Sequence, residues 1–507
     1  MRAIRIPTTT PPQSSPRDAH PPAGDGLPLQ RVRRRGWRRF LSRAPIAICA
    51  AVLFALCISY ITLLRSGAVH IQQSDVLVYY SASHLVLGGH GSAIYSFPTL
   101  KAVESSLLHS LLTVRNQAVF LYPPFVALAL TPLAAVGYSA AYLLWFILNC
   151  LLLVGVLVAL QRYLRLSRSG SVLLVVAGVS FFPVFATLAQ GQVSMLLLAI
   201  LIASFLALRA QREGWAGALL ALALIKPPYV LPFLLLLLVQ ARWRALAGFA
   251  ATAVALAVLP MAVLGPSINQ GYLQLLRQAA GWHTTTGGFS AQANQNLAGF
   301  FQLLCAAPVA TVLQWGFSVA ALAAVAVIAH RRRPADLPFA AATVAALLVN
   351  PHVLVHDLSL LLIAAAIAIR HARAQEPTLW LLLTAGYVVA LAGIPLSHWI
   401  PIQLSVLVMA ALLLWLLRTC TGALGVTIDC PEDNLTTMFG MYGNVSEHNL
   451  LMENGTQSPR AHADVEMGCA GRPPEREPED QVHLGAPGGR DITEIEDPLG
   501  WPAEALQ

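Results

Sequence analysis

Long apolar runs alternate with short polar stretches along almost the whole chain. After a polar start they occupy 44–64, 118–137, 139–160, 171–188, 192–208, 214–240, 245–264, 310–329, 337–350, 353–369, 378–394 and 401–417. Most are close to the ~20 residues that a helix needs to cross a bilayer core of about 30 Å. Counted as crossings, they predict an all-α polytopic membrane protein with about 12 transmembrane helices.

The middle of this pattern can be read in two ways. If 118–137 and 139–160 cross separately, Arg162, Arg165 and Arg168 fall outside, against the positive-inside rule. Alternatively, 118–160 is one re-entrant piece plus one crossing, and 214–240 splits into two short helices meeting at Lys226-Pro227-Pro228. Each half then spans about 18 Å at 1.5 Å per residue, which is short for a bilayer. Both readings give about 12 crossings, and the second is preferred because it gathers the polar residues on one side. Arg331 to Arg333, Arg370 with Arg373, and Arg242 with Arg244 mark inside loops. The loops 294–299, 351–356 and 395–398 then share the outer side with 65–117, the longest polar loop of the membrane body. Within that loop 75–87 and 99–112 are expected to form short helices lying along the interface.

Composition narrows the class. Of 507 residues 56% are hydrophobic and only 11% charged, too few charges to cover a soluble protein of this length. The formal charge of +8 is unevenly spread, because 419–507 carries 16 acidic residues against four arginines. The positive charge elsewhere sits largely in short inter-helix stretches, which suits membrane orientation and argues against nucleic-acid binding. Three regions follow: a disordered basic cytoplasmic N-terminus over 1–43, a membrane body over 44–418 with the external loop 65–117, and an acidic disordered cytoplasmic tail over 419–507. The first apolar run is long and lacks a small-residue cleavage site, so it reads as a retained helix rather than a signal peptide. Asn434, Asn444 and Asn454 stand in N-x-S/T triplets, on the wrong side for glycosylation. The seven cysteines are scattered without ligand spacing, so neither a metal site nor a disulfide framework is expected, and no cofactor is implied.

Acids are rare between 44 and 418, where only six occur. Asp75, at the water end of an apolar stretch with Tyr79 and Tyr80 one turn on, is the first candidate for a catalytic base. Tyr122-Pro123-Pro124 interrupts an apolar run, where the prolines enforce an extended lead-in. Gln190-Gly191-Gln192 is a turn whose glutamines could bind sugar hydroxyls, with Gln192 the one retained as a candidate. Lys226 could hold a phosphate or merely snorkel to the interface. Asn294 and Asn296 flank Gln295 at the start of a short apolar segment, as ligands or as a cap. His352 and His356 would share a face if helical, with Asp357 pointing elsewhere. A zinc reading is disfavoured because no third ligand has suitable spacing. Arg115, just before an apolar run, is a further cationic candidate.

These residues, in this order and hydrophobic setting, resemble the membrane glycosyltransferases of the GT-C superfamily, and more closely bacterial family 87, which includes polyprenol-phosphate-mannose-dependent mannosyltransferases. The resemblance covers about 44–418 and rests on Asp75 with Tyr79-Tyr80, Gly89 to Tyr95, Tyr122-Pro123-Pro124-Phe125 with Thr131-Pro132-Leu133, Gly191-Gln192, Lys226-Pro227, Asn294-Gln295-Asn296 with Gly299, and His356-Asp357. It implies a GT-C-like fold, Asp75 as base, and a histidine near the carrier phosphate at His356 or His352. Asn296 replaces a serine of the family pattern and Leu358 a tyrosine, departures that bear on acceptor specificity more than on reaction type. The implied reaction is inverting transfer of a hexose, with mannose first, from a polyprenyl-phosphate sugar to a glycolipid or cell-envelope glycan. It would take place on the periplasmic or extracellular side of the bacterial inner membrane. Two other classes remain open: a secondary transporter or flippase, to which broken helices and midplane charge are equally suited, and a non-catalytic scaffold. Membrane lipids are the remaining expected partners.

Overall fold

The computed structural model describes residues 54–56, 58, 74–108, 119–280, 290–331, 335–372, 376–397 and 399–421. Arg115, the basic N-terminus, most of the first apolar run and the acidic tail beyond 421 lie outside the described residues. Among those described, all regular structure is helical and no strand is found.

Helix α1 (Val76–Leu87) is apolar or hydroxyl-bearing apart from His84, and it is buried over most of its length rather than lying along an interface. It packs on α2 (Phe97–Leu108), α3 (Pro124–Ala134) and α4 (Tyr138–Leu164). Helix α3 starts at the proline pair and has 11 residues, about 16 Å, too few to cross a bilayer. Helix α4 has 27 residues and ends where Arg165 adopts a left-handed conformation. Then come α5 (Arg168–Val179) and α6 (Phe182–Gln190), bent by 52° across Ser180-Phe181, with Pro183 in the first turn of α6.

The chain continues through α7 (Ser194–Arg209), α8 (Glu213–Leu222) and two 3-10 turns on either side of Lys226 to α9 (Leu231–Val239). Arg242 lies 3.0 Å from Glu213, so the 213–239 segment folds back on itself with Lys226 at its tip. Helix α10 (Trp243–Leu264) lies close against α8, because a Cβ built on Gly217 would stand 1.7 Å from the Ala245 carbonyl oxygen and one on Gly248 2.1 Å from that of Gly214. Such small-residue contacts let helix backbones approach. The remaining helices are α11 (Ile268–Ala280), α12 (Leu297–Leu304), α13 (Ala307–Arg331), α14 (Asp336–Val349), α15 (Leu361–His371), α16 (Pro377–Ser397) and α17 (Leu404–Thr421).

Contacts at the helix termini define two ends of the bundle. At one end Tyr163 of α4, Arg209 of α7, Asp336 of α14 and His371 of α15 meet. At the other, Trp145 of α4 and Ser194 of α7 lie beside Gly191 and Asp357. The arginines that end α4, α7 and α15 thus collect away from Lys226. This is the arrangement in which 118–160 makes one short piece plus one long helix.

Among the described residues, helices α4, α10 and α13 are long and apolar enough to cross a membrane, and the bent α5–α6 pair makes a fourth if counted as one span. The other helices carry apolar stretches of only 10–17 residues, so among the described residues the expected 12 transmembrane helices are not confirmed by length. Breaks such as Ser180-Phe181 and Lys226-Pro227-Pro228 divide runs that hydropathy alone joins. The outward faces are lipid-like: Leu143, Leu151, Val154, Val254 and Val312 are large, apolar and exposed.

Candidate active site

The polar residues at the Lys226 end are organised by the turn between α6 and α7. Gly191 makes this turn possible: its φ is +67°, and a Cβ there would stand 2.3 Å from Val76 Cγ2. Its carbonyl accepts from Trp145 Nε1 at 2.7 Å. The glutamines on either side point to opposite halves of the site.

On one side, the Gln190 carbonyl accepts from the backbone N–H of Asp75 at 2.9 Å, and Gln192 Nε2 donates to Asp75 Oδ2. Gln192 Oε1 lies 3.3 Å from the Tyr79 hydroxyl and 3.5 Å from that of Tyr122, and those hydroxyls are 2.9 Å apart. Asp75 is the N-cap of α1 and partly exposed. Among the described residues, its Oδ1 has no hydrogen-bond partner. Withdrawal from solvent raises the Asp75 carboxyl to about 6, opposed by the Gln192 hydrogen bond and the Lys226 charge and aided by the Asp357 charge. Ser74 and Tyr138 share a hydroxyl contact of 3.3 Å beside it.

On the other side, Gln190 Oε1 lies 2.8 Å from His356 Nδ1. Asp357 is held by Lys226 Nζ at 2.5 Å, Ser194 Oγ at 2.6 Å and the Leu354 backbone N–H at 3.3 Å. His356 Nε2 is 3.6 Å from the same carboxylate. Both residues of the His-Asp pair are 2% exposed. A buried ion pair persists only when its remaining polar atoms are also satisfied, and this one meets that condition.

A third layer fixes the segment leading to His356. Asn294 donates to the Pro351 carbonyl at 3.0 Å and accepts from the Val353 N–H at 2.9 Å. Asn296 donates to the Asn350 carbonyl at 2.5 Å and caps α12 by accepting from Gly299 N. Both asparagines are spent on backbone and shape the site rather than offering groups to a ligand.

The candidate residues therefore separate. Asp75, Tyr79, Tyr122 and Gln192 form one contact network, and Lys226 and His356 a second beside it. Tyr80, one residue on and about 100° around the helix, instead donates to the Val136 carbonyl at 2.8 Å. His352 lies in non-helical chain, four residues from His356 but not on a shared helical face. Ser194 and Trp145 were not among the candidates from sequence, and Gln190 was weighed there only as a possible sugar ligand beside Gln192. A hydroxyl opening an apolar helix just after Gly191-Gln192 is a readable signal for Ser194, whereas Trp145 offers none. Among the described residues, no group of three His, Cys, Asp or Glu could hold a metal ion. Chemically, the arrangement offers one free carboxylate oxygen of raised proton affinity beside phenol hydroxyls, backed by a neutralised ion pair.

The family model described as Glycosyltransferase family 87 matches residues 120–356. That span takes in Tyr122, Gln192, Lys226 and His356, and leaves Asp75 and Tyr79 outside it. No curated protein and no solved structure matches the chain. Enzymes of this family are membrane-bound, in keeping with the apolar helices.

Proposed function

Through residues 120–356 the chain belongs to glycosyltransferase family 87, and from that premise we propose that it transfers a hexose, mannose first, from a polyprenyl-phosphate carrier to a glycolipid or envelope-glycan acceptor. The observation that carries the reading is the state of Asp75, with one carboxylate oxygen fixed by Gln192 and the other free.

In the proposed reaction an acceptor hydroxyl sits on Asp75 Oδ1. Its oxygen attacks the anomeric carbon, its proton passes to Asp75, and the bond to the carrier phosphate breaks with its electron pair leaving on the phosphate. Attack from the face opposite the leaving group inverts the anomeric centre. The phosphate is already a good leaving group, so positioning and charge are the main requirements. Tyr79 and Tyr122 orient Gln192, and the partly exposed Tyr122 offers its hydroxyl to the sugar. Lys226 supplies positive charge from behind, shared with Asp357.

The Lys226 end is read as the external face, because the arginines cluster at the other end. The shorter apolar helices would then complete about 12 crossings in a bacterial inner membrane, with the site on the periplasmic or extracellular side. The bend between α5 and α6 also suits a transporter of a lipid-linked substrate, which the same experiment separates. Purified protein in vesicles is given labelled polyprenyl-phosphate mannose, glucose or arabinofuranose with a glycolipid acceptor. Product of inverted anomeric configuration supports the proposal. Movement of labelled carrier between leaflets without product would overturn it in favour of transport.

A further inference from the structure

The opposite end of the bundle carries a second polar cluster that transfer at Asp75 does not use. Asp336 opens α14 and is almost wholly buried. It accepts from the Tyr163 hydroxyl at 2.9 Å and lies 3.6 Å from Arg209 Nε and 3.3 Å from His371 Nε2. The Arg209 and Arg370 guanidinium carbons stand 4.8 and 5.0 Å from the centre of the Tyr163 ring. They are therefore no more than 9.8 Å apart.

The charges here do not balance. Arg242, at the same end, is matched one to one: its Nε contacts Gln240 at 2.8 Å and its Nη1 contacts Glu213 at 3.0 Å. Around Tyr163, by contrast, two guanidiniums share one carboxylate. Arg209 Nε makes only an ion-pair contact of 3.6 Å to Asp336 Oδ1, without a hydrogen bond, and Arg370 donates Nη1 to the Tyr163 carbonyl at 2.5 Å. Their other N–H groups have no protein partner among the described residues, and the Arg209 side chain is 35% exposed. Paired planar forks carrying unused donors and one surplus charge match the oxygens of a phosphate.

We propose that Tyr163, Arg209 and Arg370 form a phosphate-binding site at the end of the bundle opposite Asp75, and that its occupant is the headgroup phosphate of an anionic phospholipid. The site stands at the helix ends, where headgroup phosphates lie if the bundle spans a bilayer. The phenol ring holds both guanidiniums in place before the ligand arrives, and Asp336 anchors one of them from behind. The surplus charge favours a headgroup with net negative charge over a zwitterionic one.

The test uses the full chain in detergent, with thermal melting and native mass spectrometry as readouts. The probes are phosphatidylglycerol, phosphatidylcholine and inorganic phosphate. Phosphatidylglycerol should be retained and should raise the melting temperature, with phosphatidylcholine having little effect. The double variant Arg209→Lys with Arg370→Lys keeps both charges but loses the forks, and should weaken phosphatidylglycerol binding about tenfold. In Asp336→Asn the missing carboxylate leaves the arginines unmatched, so phosphatidylglycerol should stabilise that variant more than the wild type. A cluster that merely ties helices together would show the same loss with or without lipid. Equal retention of the two lipids, or equal phosphatidylglycerol binding by wild type and the lysine variant, would overturn the proposal. Stabilisation by inorganic phosphate alone would overturn the lipid assignment.

Discussion

Two aspartates face the same turn and are treated in opposite ways. Asp357 is sealed from water and held by a lysine, a serine hydroxyl and a backbone N–H, with a histidine alongside. Asp75 is partly open, receives one amide hydrogen bond on one oxygen, and has a proton affinity raised to about 6. A carboxylate with both oxygens engaged holds shape, and one with a free oxygen of raised affinity can accept a proton. The difference is the basis for proposing structure for Asp357 and chemistry for Asp75, although both are rare acids in an apolar chain.

Exchanging the two acids for their amides should expose this division most strongly. Asp75→Asn should lower transfer by about 10²- to 10⁴-fold while leaving melting and donor binding near wild type, as read by an assay of labelled product beside thermal unfolding. Asp357→Asn should act on stability instead. It leaves Lys226 without its counter-charge and should destabilise the protein by about 3 kcal/mol, and adding Lys226→Met should recover much of that loss. Restored stability with transfer below that of Asp357→Asn alone would also show that the lysine contributes charge to the reaction.

Finer changes test how Asp75 is tuned. The Gln192 hydrogen bond stabilises the ionised carboxylate, so Gln192→Leu should raise the Asp75 pKa further. The acid limb of the pH–rate profile should then move to higher pH, a shift visible in initial rates. The smallest effect should come from Tyr80→Phe, which loses one bond to the Val136 carbonyl. It should cost about 1 kcal/mol in stability and leave transfer unchanged, whereas Tyr79→Phe, at the Gln192 network, should slow transfer.

The sequence was informative where a residue type was out of place in its surroundings. An acid at the edge of an apolar stretch, a lysine followed by two prolines and a His-Asp pair between apolar runs all stand out without a structure, and all meet at one end of the bundle. What the sequence hid was partnership. Asp75 and Gln192 are 117 positions apart, and Gln190 and His356 are 166 apart, so no local period relates them. Gln190-Gly191-Gln192 read somewhat better as a plain turn, and only the packing of α1 against it shows that its two amides join the halves of the site. Hydropathy likewise joined runs that prolines and bends divide, and it gave no sign that α1 would be buried over most of its length.

The most direct test of the central claim is the pH dependence of transfer by wild type and Asp75→Asn, measured side by side in the same lipid with donor binding as a control. Because the base must be ionised, wild-type rates should rise with pH through about 6 and then level. The variant's residual rate should be flat across that range with donor binding intact. A near-normal rate in Asp75→Asn, or an acid limb unchanged by the substitution, would contradict the assignment of Asp75 as the proton acceptor.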